Sequence, residues 1–108
     1  MARRIRIASV ESLISDLDRK LTELSVDLTG LTLRQKVLQL VEVHYQSRCL
    51  GVSIVVADGL SPSAAMDRIQ VYLQRHVGQV IDGAELDVVS GISEYARRVR
   101  ELRVERGF

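Results

Sequence analysis

The sequence predicts a mainly α fold: an N-terminal helical hairpin followed by a helix-turn-helix unit of the winged type whose wing is truncated or absent. Three observations predict it. Apolar residues recur in alternating steps of four and three between Val10 and Leu31, the period of a helical seam. Thr32-Leu33-Arg34-Gln35 has the form of a capping box at the head of a second apolar run. Residues 80–108 read as helix, tight turn, helix: Asp82 caps the first, Gly91 suits the turn and Ser93 caps the second.

Composition bounds what such a fold can do. The chain has 108 residues, enough for one real core. With 46% hydrophobic residues and a formal net charge of +1, it is neither disordered nor basic throughout. That balance argues against a general nucleic-acid coat and leaves room for a local basic face. Three tyrosines, one phenylalanine and no tryptophan disfavour stacking on unpaired bases. The single cysteine, Cys49, excludes an internal disulfide and reads as a small buried hydrophobe rather than a nucleophile. No run approaches the ~18 apolar residues of a membrane span. Arg3, Arg4 and Arg6 are not followed by a signal core. The expectation is a cytoplasmic chain with no cofactor, no bound metal, no membrane partner and no small-molecule substrate.

Residues 1–8 read as a solvated terminus, with a basic arm reaching a phosphate as the alternative. A helix then begins after Ser9. Val10, Ile14, Leu17, Leu21, Leu24 and Leu28 form its seam, widened by Leu13, and Gly30 ends it. About three heptads are too few to stand alone, so the seam packs on the next helix, on a second copy, or on both. These six residues are the candidate dimerisation element. The second helix runs from Leu33 to about Cys49 with apolar residues over more than a stripe, which predicts burial on two sides. His44 lies among them and reads as a structural histidine before a metal ligand.

Residues 50–60 interrupt the helical period. Val52, Ile54, Val55 and Val56 are β-branched, predicting a short strand or an extended linker that ends at the Asp58-Gly59 turn. A boundary is placed here, dividing residues 1–60, hairpin and linker, from residues 61–108, the helix-turn-helix unit. Ser61-Pro62 signals a helix start. The helix through His76 is expected to bury Ala65, Ile69, Leu73 and Tyr72 and to turn Asp67, Arg68, Gln70, Gln74 and Arg75 outward, with Gly78 as its stop. Residues 79–81 make one short extended segment.

On a helical wheel of residues 93–103, Ile92, Ala96, Val99 and Leu102 cluster inward. Arg97, Glu94 and Glu101 point away, and Arg98 and Arg100 lie on the flanks. Arginine forks suit guanine edges or phosphates, so this is the candidate major-groove helix. The candidate DNA-binding residues are Ser93, Glu94, Arg97, Arg98, Arg100, Glu101, Arg103 and Arg106, the last two toward the backbone. Glu94 either accepts from a cytosine amino group or favours the helix dipole. Tyr95 reads as a core residue. The bland reading stays beside the sharp one: Glu94/Arg98 and Arg97/Glu101 are i,i+4 pairs found on any solvated helix.

The run Gly91-Ile92-Ser93-Glu94-Tyr95-Ala96-Arg97-Arg98-Val99-Arg100-Glu101-Leu102-Arg103, with Asp82, Gly83, Glu85, Leu86, Val89 and Gly107, resembles the helix-turn-helix segment of bacterial and archaeal HNH-type, restriction-like endonucleases. Tyr95 stands where that pattern has tryptophan. Residues 33–51 and the helix near residue 70 are similar to the corresponding region, so the resemblance covers roughly residues 32–108 of the chain. It implies duplex DNA as partner, with a wing and a nuclease portion after Phe108. An HNH site needs a histidine base and further His, Asn or Asp ligands for a metal. This chain has only His44 and His76, no asparagine, no P-loop and no nucleophile elbow. The expected role is therefore non-catalytic recognition of duplex DNA. Two alternatives remain: a helical module that dimerises or binds protein, and a small transcriptional repressor sharing every residue-level feature.

Overall fold

The computed structural model describes residues 4–91. Four α-helices occur in this stretch: α1, Val10–Asp27; α2, Leu33–Ala57; α3, Ala65–Arg75; and α4, Gly83–Ser90. Among the described residues there is no strand, and no helix is long and apolar enough to cross a membrane.

Local chemistry sets the first two helices. Ser9 sits in extended backbone and its hydroxyl accepts from the Ser12 N–H, satisfying one orphan donor at the start of α1. A 3-10 turn, Leu28–Gly30, carries the chain into the capping box. There Thr32 Oγ1 accepts from Gln35 N–H at 3.2 Å and Gln35 Oε1 accepts from Thr32 N–H at 2.9 Å. Packed together, α1 and α2 close over Leu13, Tyr45 and Cys49, all buried. Leu13, expected only to widen the seam, is its most buried member. Cys49 is buried as expected. His44, expected to be buried or half-buried as a structural histidine, is exposed, because it shares the face of α2 turned away from α1.

The N-terminal segment is tied down rather than solvated. Tyr45 donates its hydroxyl to the Arg4 carbonyl at 2.8 Å, Arg6 N–H donates to Cys49 Sγ, and Ala8 N–H donates to Ser53 Oγ. Ile5 and Ala8 add apolar contact to the same cluster. The unpaired backbone thus finds its hydrogen-bond partners on α2.

Neither the short strand nor the extended linker expected over Val52, Ile54, Val55 and Val56 is present, because α2 continues through these residues to Ala57. β-branching costs a helix only a few tenths of a kcal/mol per residue. Burying a valine fully, as happens at Val52, returns about 1.5 kcal/mol or more. Packing therefore overrides propensity. Gly51 belongs to the same contact: a Cβ there would meet Val88 Cγ1 of α4 at 3.0 Å, so the missing side chain lets the two helices approach. The helix stops in a Schellman motif: Leu60 N–H donates to Val55 O and Gly59 N–H to Val56 O, with Gly59 at φ 99°. The expected turn at Asp58-Gly59 is this stop, and it delivers Leu60 into the second core.

That core gathers Leu60, Ile69, Leu86 and Val89, with Val55, Tyr72, Leu73 and Ile81 packed around it. α3 begins at Ala65, three residues after the expected proline start. Ser61 Oγ accepts from Ser63 and Ala64 N–H and so caps the preceding turn instead. The segment after Gly78 runs to Asp82 without pairing as a strand. Asp82 then caps α4 as expected, Oδ1 accepting from Glu85 N–H at 3.0 Å.

Candidate nucleic-acid interface

The candidate segment follows in the sequence directly after the corner where α4 ends. α4 terminates at Gly91 with φ 73° and ψ 13°, the left-handed conformation, and Gly91 N–H donates to Asp87 O. Gly91 is buried, and a methyl at its α-carbon would overlap Val52 Cγ2 and touch Ile5. Only glycine satisfies both the dihedral and the space.

Arg68 holds that corner from beneath. Its side chain is buried in α3, yet it carries a guanidinium. Nε donates to Val89 O at 2.9 Å, Nη2 to Ser90 O at 2.6 Å and Nη1 to Ser61 O at 3.1 Å. Val89 and Ser90 are the last residues of α4, whose carbonyls have no partner within the helix and form its negative pole. One cation thus satisfies three carbonyl acceptors, two of them buried. Burial pulls the pKa of Arg68 below its ordinary value, but a guanidinium stays charged.

The expectation that Arg68 points outward is therefore corrected. Ala65, Arg68, Ile69 and Tyr72 fall at i, i+3, i+4 and i+7, one helical face. The periodicity includes Arg68; the assumption that a charged residue lies outside excluded it.

Two more polar pairs brace the unit. Arg75 Nη1 donates to Asp58 Oδ2 at 2.7 Å and to Asp58 O, tying the end of α3 to the end of α2. Tyr72 donates its hydroxyl to Glu85 Oε2 at 2.6 Å, joining α3 to α4. The hydrogen bond to Glu85, then burial, then the negative charges of Glu85 and Asp82 raise the Tyr72 pKa above 10.0. Below pH 10 both folded and unfolded chains keep the phenolic proton, and the bond contributes in full. Above it the unfolded chain loses that proton first, so stability falls as pH rises from 10 toward the folded pKa. Chemical denaturation at pH 8 and pH 10.5 is expected to show this loss in the native chain and a smaller one in Tyr72→Phe. Equal losses in both would remove Tyr72 as its source.

Of the residues singled out in the sequence, Ser93, Glu94, Arg97, Arg98, Arg100, Glu101, Arg103 and Arg106 lie outside the described residues. So do Ser93 as a cap and Tyr95 as a core residue. In the α1 seam, Val10, Leu17 and Leu24 are half-buried, whereas Ile14, Leu21 and Leu28 are exposed. Within α3 both arginines are engaged: Arg68 with carbonyls and Arg75 with Asp58.

Comparison with known proteins bears on this same unit. Residues 66–108 match the family model described as the KpnI N-terminal domain, which links α3, α4 and the segment beyond to the N-terminus of a restriction endonuclease. No curated protein and no solved structure matches the chain.

Proposed function

We propose that this chain is a duplex-DNA recognition unit of a restriction-endonuclease system, with residues 93–103 as the recognition helix of a helix-turn-helix. The observation that carries the reading is the match of residues 66–108 to the KpnI N-terminal domain, which spans the buried corner and the arginine-rich segment together. The geometry supports it. A left-handed glycine packed on Val52 and Ile5, next to carbonyls held by Arg68, gives a defined backbone from which that segment leaves, and docking a helix in a groove requires such a start. Arg97, Arg98 and Arg100 supply forks for base edges, and Arg103 and Arg106 contact phosphate. Any cleavage belongs to an HNH-type site made by other residues, since this chain offers only His44 and His76 and no asparagine toward it.

Titration of the full chain with fluorescent duplexes is expected to show binding that weakens steeply with salt. Arg106→Ala lowers affinity alike on all duplexes and reduces the salt slope by about one. Arg97→Ala with Arg98→Ala changes the sequences enriched from a random duplex pool, by about 1–3 kcal/mol per altered base contact. A folded chain that binds no duplex at low salt overturns the reading.

A further inference from the structure

We infer that the N-terminal strap, residues 4–8, belongs to the same nucleic-acid interface, with Arg4 contacting a backbone phosphate beside the start of the recognition segment. The inference rests on the reading of the chain as a duplex-DNA binder. It adds to that reading a residue from the opposite end of the sequence.

The strap is fixed from two sides. Its main chain is held by α2: the Tyr45 hydroxyl donates to the Arg4 carbonyl at 2.8 Å, and the N–H groups of Arg6 and Ala8 donate to Cys49 Sγ at 3.3 Å and Ser53 Oγ at 3.4 Å. Its apolar side chains, Ile5 and Ala8, pack on the cluster of Leu13, Tyr45 and Cys49. Ile5 also reaches the corner, with Cγ1 and Cδ1 at 3.5 and 3.6 Å from where a Cβ on Gly91 would stand. Ordinary bond lengths then put the α-carbon of Arg4 within about 11 Å of that of Gly91. The proposed recognition helix starts two residues past Gly91 in the sequence.

Charge singles out Arg4 within the strap. Arg6 is engaged by Asp16, Nη2 to Oδ2 at 3.2 Å. Arg4 is exposed, and among the described residues its guanidinium has neither an ion pair nor a hydrogen bond. A cation without a protein partner, carried on a fixed backbone, suits an external anion. On binding it gives up only side-chain freedom, whereas a loose arm gives up main-chain freedom as well. The DNA major groove is about 12 Å wide, and a recognition helix enters it with its N-terminal residues at the base edges. A guanidinium held within that distance of the helix start therefore reaches the phosphates bordering the groove, which position the protein without specifying sequence.

Titrating the full chain with fluorescent duplexes of unrelated sequence, at several salt concentrations, tests this, with far-UV circular dichroism confirming the fold of each variant. Arg4→Gln is expected to weaken binding to every duplex by roughly five- to tenfold near 0.1 M salt and to lower the salt slope by about one. Arg4→Lys keeps the native slope, because the charge stays. Tyr45→Phe removes the tether and keeps the cation, so binding weakens by roughly two- to threefold with the slope unchanged. Arg34→Gln removes the same charge at the head of α2, about 27 Å along the helix from Val52, and changes affinity by less than about twofold. The inference is overturned, and the recognition reading stands, if the native chain binds duplex while Arg4→Gln or Tyr45→Phe binds as tightly. A loss confined to particular sequences, or one matched by Arg34→Gln, overturns it equally. A native chain that binds no duplex at low salt overturns both.

Discussion

Replacing Arg68 with methionine is expected to lower the free energy of unfolding by about 3 kcal/mol, because it leaves buried carbonyls at the end of α4 without a donor. Methionine keeps most of the aliphatic stem, so the loss reports the guanidinium rather than its packing. Arg68→Lys recovers only part of it, since an ammonium has no planar fork to span Val89, Ser90 and Ser61. Urea titration read by circular dichroism measures both variants. If methionine costs less than about 0.5 kcal/mol, a value typical of an ordinary surface change, the corner is held by something else.

Gly91→Ala is the second large effect, expected at roughly 3 kcal/mol: a left-handed backbone strained by a side chain, plus overlap with Val52. Gly78→Ala separates the two causes. Gly78 also has positive φ, 86°, but a Cβ there meets nothing within 4 Å, so that change carries the backbone strain without the overlap. Its cost is expected near 1–2 kcal/mol. Combining Gly91→Ala with Val52→Ala should cost less than the sum of the single changes, because removing the valine methyl groups makes room. Strict additivity would show that Val52 is not the obstacle. If the proposed function holds, Gly91→Ala is also expected to lower duplex affinity even where the variant remains folded, since it changes the backbone from which the proposed recognition segment continues.

The elements legible in the sequence were those set by local chemistry. Thr32-Gln35 and Asp82 cap the helices they were expected to cap, α1 begins directly after Ser9, and Gly91 closes α4. These signals need only neighbours in the chain. Apart from the start of α3, which the neighbouring Ser61 sets, the misreadings depended on residues far away in sequence. Val52 stays helical because α4 and the Gly91 corner pack on it, and Gly51 is needed where Val88 crosses. Ala8 and Arg6 are held by Ser53 and Cys49. Arg68 is buried because the carbonyls of α4 await it, twenty-one and twenty-two positions later. For the candidate site, the arginine pattern of residues 97–106 was visible at once. The Arg68 contacts at the end of α4 were not, since no local pattern marks a charged side chain as buried.

The corner has one more consequence, for anyone wishing to transplant the segment that matches the KpnI N-terminal domain. Residues 66–108 carry Gly91 and Arg68 with them. They leave behind Val52, whose methyl group fills the space beside that glycine, as well as Ile5 and the Ser61 carbonyl. A graft onto a foreign scaffold would keep the hinge and lose its socket. The portable unit is wider than the matched stretch: it runs from Ile5, through the far end of α2, to the glycine they enclose.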